Sequence, residues 1–287
     1  TWNNGELSQA TIHSGSGEQC VVRYNNKTLS FKTKKGQTYR VREINGKLTV
    51  NTPTYSSKLL FNKYAAQYRI PAIVQCKSGK IIAFADHRYH GTDIGWGHHL
   101  DIIIKTSCDG GNTWSPNEQM VARGGSNIAT DFNCGHGDAA TVVDRETGEI
   151  LMMCASGGIC YWDSTRDLPI MMGRYYSIDE GLTWHCEDVT KHIYQLMPDV
   201  TGAFFTSGRI AQSSRIKVGT HYRIYSALAT KQGNRVLYSD NLGKTWNVLG
   251  NYSNAAQTAP KGDEAKIEEL PNGNVLISSR VSGGRYF

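Results

Sequence analysis

Apolar and polar residues change places in short runs along nearly the whole chain. Leu100 to Thr106 (LDIIIKT), Met171 to Tyr176 and Arg235 to Tyr238 each run into a turn-rich segment. Similar runs occur at Ala72 to Gln75, Ile81 to Asp86, Ala140 to Val143, Ile150 to Ala155, Arg223 to Leu228 and Val275 to Ser279. Short apolar or alternating runs bounded by turn residues predict strands. No long stretch repeats at 3.6 residues, and the best helix candidate is short, Asp188 to Leu196. The predicted class is therefore all-β. Residues 1 to 55 differ in texture. Val21 to Tyr24, Thr28 to Lys32, Thr38 to Glu43 and Lys47 to Asn51 alternate between the turn signals Asn25-Asn26 and Asn45-Gly46. This predicts a β-rich N-terminal segment, 1–55, like part of a β-sandwich, with a packing or carbohydrate-binding accessory role. A second region covers 56–287.

One phrase recurs three times in the second region: Ser-x-Asp-x-Gly-x-Thr-Trp. It reads SCDGGNTW at Ser107–Trp114, SIDEGLTW at Ser177–Trp184 and SDNLGKTW at Ser239–Trp246, where Asn241 replaces Asp. An Asp side chain can bond the backbone just ahead of it, and Gly supplies positive φ. Each copy is predicted to turn a hairpin, with the indole packed over the turn. Copies spaced this way predict a stack of one supersecondary unit. A propeller blade takes about 40–50 residues, so 56–287 holds about four blades.

Composition narrows the function classes. The net charge is +6 with no Lys/Arg run, which gives no footprint for nucleic acid. A mild basic excess is compatible with an anionic substrate. No apolar run approaches the ~18 residues of a membrane span. The seven cysteines form no Cys-x-x-Cys pair, and the histidines His90, His98, His99 and His136 form no ligand pattern, so no metal is expected. Those histidines are read as loop or surface residues, and most of the cysteines as small buried side chains. The chain begins at Thr1, and a removed N-terminal segment is expected.

The chemistry concentrates in YRIPAIVQCKSGKIIAFADHRYHGTDIGWG, Tyr68 to Gly97. Arg69 stands in Arg-Ile-Pro at a strand start, Arg88 follows the next strand, and Asp93 lies in a Gly-rich loop. With the repeated phrase downstream, which resembles an Asp-box, the chain resembles bacterial sialidases over about residues 56 to 287. The resemblance implies a six-bladed β-propeller, of which about four blades lie in this chain. It implies an exo-α-sialidase that removes terminal α-linked sialic acids from glycoproteins, glycolipids and oligosaccharides with retention, without a cofactor. Such enzymes are usually exported, so a secreted, periplasmic or cell-surface location is expected.

Sialic acid carries a carboxylate on its anomeric carbon, and guanidinium binds carboxylate bidentately at any working pH. The family uses three arginines. Arg69 matches the first and Arg280 the second. Sialidases use a Tyr nucleophile in place of a carboxylate, because a neutral phenol is less repelled by the substrate's own charge. Asp93 matches the acid/base, and Glu264 matches the Glu that activates the Tyr. Arg88 resembles a residue contacting the ring's 4-position, and Asp138 an acidic residue lining the same pocket. Trp162 faces either the N-acetyl group or the core. Glu268 and Glu269 compete with Glu264, since alternation puts Glu268 on the same face; family position favours Glu264.

The Tyr and the third Arg are not matched. Arg285 and Tyr286 lie too close to Arg280 to fill both roles. The expectation is that a further polypeptide segment, beyond Phe287, completes the propeller and supplies them. Two alternatives share these motifs: a trans-sialidase or intramolecular trans-sialidase, and a non-catalytic Asp-box propeller lectin.

Overall fold

The computed structural model describes residues 1–51, 57–62, 67–95, 98–250, 261–281 and 284–286. The chain divides into two compact units, Thr1–Leu59 and Leu60–Phe287. In the first unit, Ala10–His13, Thr38–Ile44 and Lys47–Asn51 form one antiparallel sheet, and Gln19–Tyr24 pairs with Lys27–Lys32. Asn45 and Gly46 both hold positive φ, 50° and 77°, which gives the two-residue turn whose twist suits a hairpin. Tyr39, Val41 and Leu48 are its buried apolar residues.

The described residues of the second unit form four sheets, antiparallel except that Gly208–Arg209 pairs parallel to His136–Val143 in the second. The first is a meander of Tyr68–Gln75, Ile81–Arg88, Leu100–Ser107 and Gln119–Ala122. The second contains His136–Val143, Ile150–Ser156, Met171–Ser177 and His185–Asp188. In the third, Ala203–Phe205 and Ala211–Val218 both pair with His221–Thr230, followed by Arg235–Ser239 and Asn247–Val248. The fourth contains Asp263–Glu269, Val275–Val281 and Gly284–Tyr286. A helix at Thr190–Gln195 falls inside the predicted helical stretch.

Why these strands carry unbroken apolar runs is clear from Ile150–Ser156, all of whose residues are buried. Successive side chains of a strand point to opposite faces. Ile150, Met152 and Cys154 pack with Ile82, Phe84, Ile102 and Ile104 of the first sheet. Leu151 and Met153 pack with Ile224, Leu228, Leu237 and Trp246 of the third. Ala211, Tyr225 and Ala227 of the third sheet pack in turn with Ala265 and Ile267 of the fourth. Face-to-face packing of successive meanders is the blade arrangement of a propeller, and these sheets form part of one.

The repeated phrase turns the hairpin between the third and fourth strands of three blades. In the first copy the Thr113 amide donates to Asp109 Oδ1 at 2.8 Å, Thr113 Oγ1 donates to Asp109 Oδ2 at 2.6 Å, and Trp114 Nε1 donates to the Gly111 carbonyl at 3.0 Å. The second copy repeats these bonds, and hydrogen bonds from the Thr hydroxyl and amide lower the carboxyls of both Asp109 and Asp179 to about 2. Asn241 keeps the backbone bond in the third copy, accepting from the Thr245 amide at 2.9 Å.

Candidate active site

The innermost strand of each blade breaks its pairing at one level. Register shifts fall between Arg69 and Ala72, Gly137 and Ala140, and Asp263 and Lys266. At each break one residue takes positive φ: Ile70 at 51°, Asp138 at 61° and Glu264 at 44°. In the third blade the inner strand stops at Phe205 and resumes at Ala211, with Gly208 at 96° between. A bulge re-aims side chains out of the pleat, and positive φ is costly for a β-branched residue such as Ile70. The four breaks ring a cavity of about 210 Å³.

Every site residue expected from the sequence lines this cavity: Arg69, Arg88, Asp93, Asp138, Glu264 and Arg280. Arg88 ends the second strand of the first blade and is buried. Its Nη1 lies 2.7 Å from Asp93 Oδ1, and its Nη2 lies 3.1 Å from Asp86 Oδ2 and 4.0 Å from Asp138 Oδ1. Arg280 pairs with Asp263 Oδ1 at 2.8 Å through Nε and with Glu264 Oε2 at 2.7 Å through Nη1. Arg69 makes no ion pair among the described residues. Of the three guanidiniums that line the cavity, Arg69 has no counter-charge among the described residues, Arg280 is shared between two carboxylates and Arg88 among three.

Burial raises Asp138 to about 6, with the Asp93 and Glu264 charges adding and Arg88 opposing. Burial also raises Asp86, with the Asp138 charge as the next cause. Asp86 has no sequence motif and was not expected as a site residue. It is fully buried, accepts the Asp138 amide at 3.1 and 3.3 Å, and so joins the second strand of the first blade to the inner strand of the second. The signal for it was alternation, which puts Asp86 on the face of Arg88. Asp263 has the mirrored signal: it pairs across the ladder with Arg280, as Arg69 pairs with Asp86.

The opposite wall is apolar: Ile94, Ile170, Tyr161 and Phe204. Burial raises the Tyr161 hydroxyl, so this phenol is not poised to ionise. Trp162 is 73% exposed, on the rim of the cavity. The core alternative for Trp162 is therefore corrected. Its segment contributes the neighbouring Tyr161 inward and leaves the indole in solvent. Glu268 and Glu269 face elsewhere. Glu268 pairs with Arg209 at 3.0 Å, and Glu269 accepts from Ser213 and Ser214. The bulge at Glu264 shifts the register by a residue, which is why plain alternation misjudged Glu268. His136 also departs from expectation. It is fully buried at the start of an inner strand, bonded to Ser156 Oγ at 2.9 Å, and burial lowers it to about 4. Tyr286 and Arg285 lie in a described strand, but their side chains are outside the described residues. Among the described residues no cluster of His, Cys, Asp and Glu could hold a metal ion.

No protein-family model matches the chain. Over 230 residues it is 31% identical to the sialidase of Micromonospora viridifaciens, covering 75% of this chain and 33% of that one. Over 245 residues it is 28% identical to the sialidase of Clostridium perfringens, covering 79% and 60%. The solved intramolecular trans-sialidase of Ruminococcus gnavus superposes with a TM-score of 0.58 at 16% identity, covering 79% of this chain and 69% of that one. The fold is the sialidase-type β-propeller. In sequence the chain is a relative of bacterial sialidases, and it spans less than two thirds of the length of these two sequence relatives.

Proposed function

We propose that residues 60–287 carry the sugar-binding and acid/base part of an exo-α-sialidase acting on terminal α-linked sialic acids of glycoconjugates. The observation that supports this most is that Arg69, Asp93, Glu264 and Arg280, whose types and order match the family, line one cavity. Arg69 and Arg280 hold the substrate carboxylate, with Arg280 turning from its Asp263 and Glu264 partners towards the ligand. Arg88 and Asp138 bind the ring's 4-position, and the apolar wall of Ile170 and Phe204 takes the N-acetyl methyl. Asp93 protonates the leaving oxygen and then activates water, the two halves of a retaining reaction. Glu264 deprotonates a Tyr nucleophile, which with a third arginine comes from polypeptide beyond the described residues. Among the described residues no helix is long and apolar enough to cross a membrane, and the proposed location is secreted, periplasmic or cell-surface.

The test is turnover of a fluorogenic sialoside by the full-length protein and its Asp93→Asn variant. The variant is expected to lose about 10²–10⁴-fold in kcat/KM. Proton NMR of the first product is expected to show retained free sialic acid, which separates hydrolysis from an anhydro or transferred product. Unchanged cleavage by Asp93→Asn would remove the acid/base assignment. Binding of 2-deoxy-2,3-didehydro sialic acid without any turnover would replace the enzyme by a lectin.

A further inference from the structure

A second cavity, of about 610 Å³, adjoins the first between the third and fourth blades. The two share Tyr161, Trp162, Asp263 and Arg280. The second adds Lys231 and Lys261 and does not include Asp93. Among the described residues its charges are unbalanced: two lysines and Arg280 face one carboxylate, Asp263, which Arg280 already occupies at 2.8 Å. Lys231 Nζ donates to the carbonyls of Trp162 at 2.8 Å and Ser164 at 2.6 Å, contacts that leave its charge unneutralised and one N–H to spare.

Which part of a bound sugar reaches this cavity follows from the ring, granted the function proposed above. With the carboxylate at C2 on Arg69 and Arg280, and the 4-position on Arg88 and Asp138, the ring is fixed. C4 lies on one side of C2 and C6 on the other. The glycerol arm on C6 therefore points away from Arg88 and Asp138, along the wall of Tyr161 and Trp162. The leaving sugar lies beside Asp93, its proton donor, so it does not enter the second cavity.

We propose that the second cavity receives a negatively charged group carried on the glycerol arm of the bound sialic acid. Lys231 and Lys261 are its charge partners, and the exposed Trp162 indole is a flank. Two sources carry that chemistry. One is a sulfate ester on the arm. The other is the carboxylate of a further sialic acid joined through O8, and the cavity's 610 Å³ against 210 Å³ leaves room for a second sugar. Occupancy by the second source makes an internal sialic acid a substrate, an activity beyond removal of terminal residues.

The experiment measures binding of three probes to the full-length protein by calorimetry: methyl α-sialoside, its 8-sulfate, and an α2,8-linked disialoside. The sulfate and the disialoside are expected to bind about tenfold tighter than the methyl sialoside, the scale of one added charge-assisted hydrogen bond. Lys261→Met is expected to remove most of that gain while leaving methyl sialoside affinity unchanged. Lys231→Met is expected to do the same, but Lys231 also holds the Trp162 and Ser164 carbonyls, so Lys261→Met is the cleaner variant. An α2,8-trisialoside tagged at its non-reducing end separates the sources: release of tagged disialoside reports internal cleavage. A gain confined to the sulfate assigns the cavity to a small anion. Equal affinities for all three probes, or a gain that survives both variants, would overturn the proposal. Failure of the methyl sialoside itself to bind removes the proposed function on which the inference rests, and the two failures are told apart by that probe.

Discussion

At the scale of single residues, titrating groups pull stability in opposite directions, Asp138 and Asp86 one way and His136 the other. Asp138 titrates near 6 in the folded protein against an ordinary value of 3.8. Between those values the folded state holds a proton that the unfolded chain has lost, so stability falls as pH rises from about 4 to 6 and stays lowered above it. His136 titrates near 4 against an ordinary 6.5. The unfolded chain takes a proton that the folded state refuses, so stability falls as pH drops from 6.5 to 4. The two slopes offset each other across that window. Asp86, raised by burial and then by the Asp138 charge, adds a slope of the same sign as that of Asp138. Asp138→Asn removes the Asp138 slope and its share of the Asp86 rise, so with pH rising from 4 to 6 its stability in urea is expected to gain relative to the parent's. At pH 7 the variant is expected to be more stable than the parent by about 1–3 kcal/mol, at ~1.4 kcal/mol per pKa unit. The top of that range is not reached, because the Asp138 side chain keeps 18% of its exposure. A variant profile that runs parallel to the parent's across that window would show that Asp138 is not the proton holder. Arg69, Asp93, Glu264 and Arg280 could be read because their residue types and order follow a pattern. His136 could not, because only burial distinguishes an interior His from a solvated one, and Asp86 had no signal beyond sharing a strand face with Arg88.

At the scale of elements, the Asp-box does more than turn a hairpin. The second copy leans on the first blade: Gln119 Nε2 donates to the Gly181 carbonyl at 2.8 Å, and the Ser78 amide donates to Glu180 Oε1 at 3.2 Å. The third leans on the second blade, where Arg174 Nε donates to the Leu242 carbonyl at 3.2 Å. These two boxes therefore help set the spacing between neighbouring blades, and with it the convergence of the inner strands. A Cβ on Gly181 would stand 2.8 Å from Ile82 Cδ1, and one on Gly243 2.8 Å from Leu151 Cδ2; φ is +80° and +73° at the two positions. Gly110 shares the backbone strain, at +70°, but a Cβ there meets nothing within 4 Å. Gly181→Ala and Gly243→Ala are expected to cost about 2–4 kcal/mol by chemical denaturation, and Gly110→Ala about 1–2. Equal losses at all three positions would mean that blade contact adds nothing to the local cost of positive φ. The turn could be read from its sequence because its bonds are local. The docking could not, since Ile82 and Gly181 are far apart in sequence and nothing in either residue announces the other.

At the scale of the whole second unit, the cavity belongs to no single blade. Arg69 and Arg88 come from the first, Asp138 from the second, Phe204 from the third, and Glu264 and Arg280 from the fourth. The meander within each blade was legible because consecutive strands pair in sequence order. The apolar wall was not, because Ile94, Ile170 and Phe204 look like any core residue until the blades are placed. A ligand that spans such a cavity binds the folded unit and not the unfolded chain, so it must raise stability by mass action. At a hundredfold excess over Kd, 2-deoxy-2,3-didehydro sialic acid is expected to add about 2.7 kcal/mol. For a unit of this size that is a rise of about 5–10 °C in Tm. Arg69 is the cleanest position at which to test the carboxylate contact. It makes no ion pair among the described residues, so removing its charge strands no partner. Arg280→Met, by contrast, removes a cation that Asp263 and Glu264 share. Arg69→Met is expected to keep the ligand-free Tm within about 2 °C of the parent, as a surface substitution does. It is also expected to lose most of the ligand-induced rise at the same concentration. A full rise in Arg69→Met would place the ligand's carboxylate elsewhere. A large drop in the ligand-free Tm would instead make Arg69 a support of the inner strand, and the bulge at Ile70 a structural device more than a way of aiming a guanidinium at an anion.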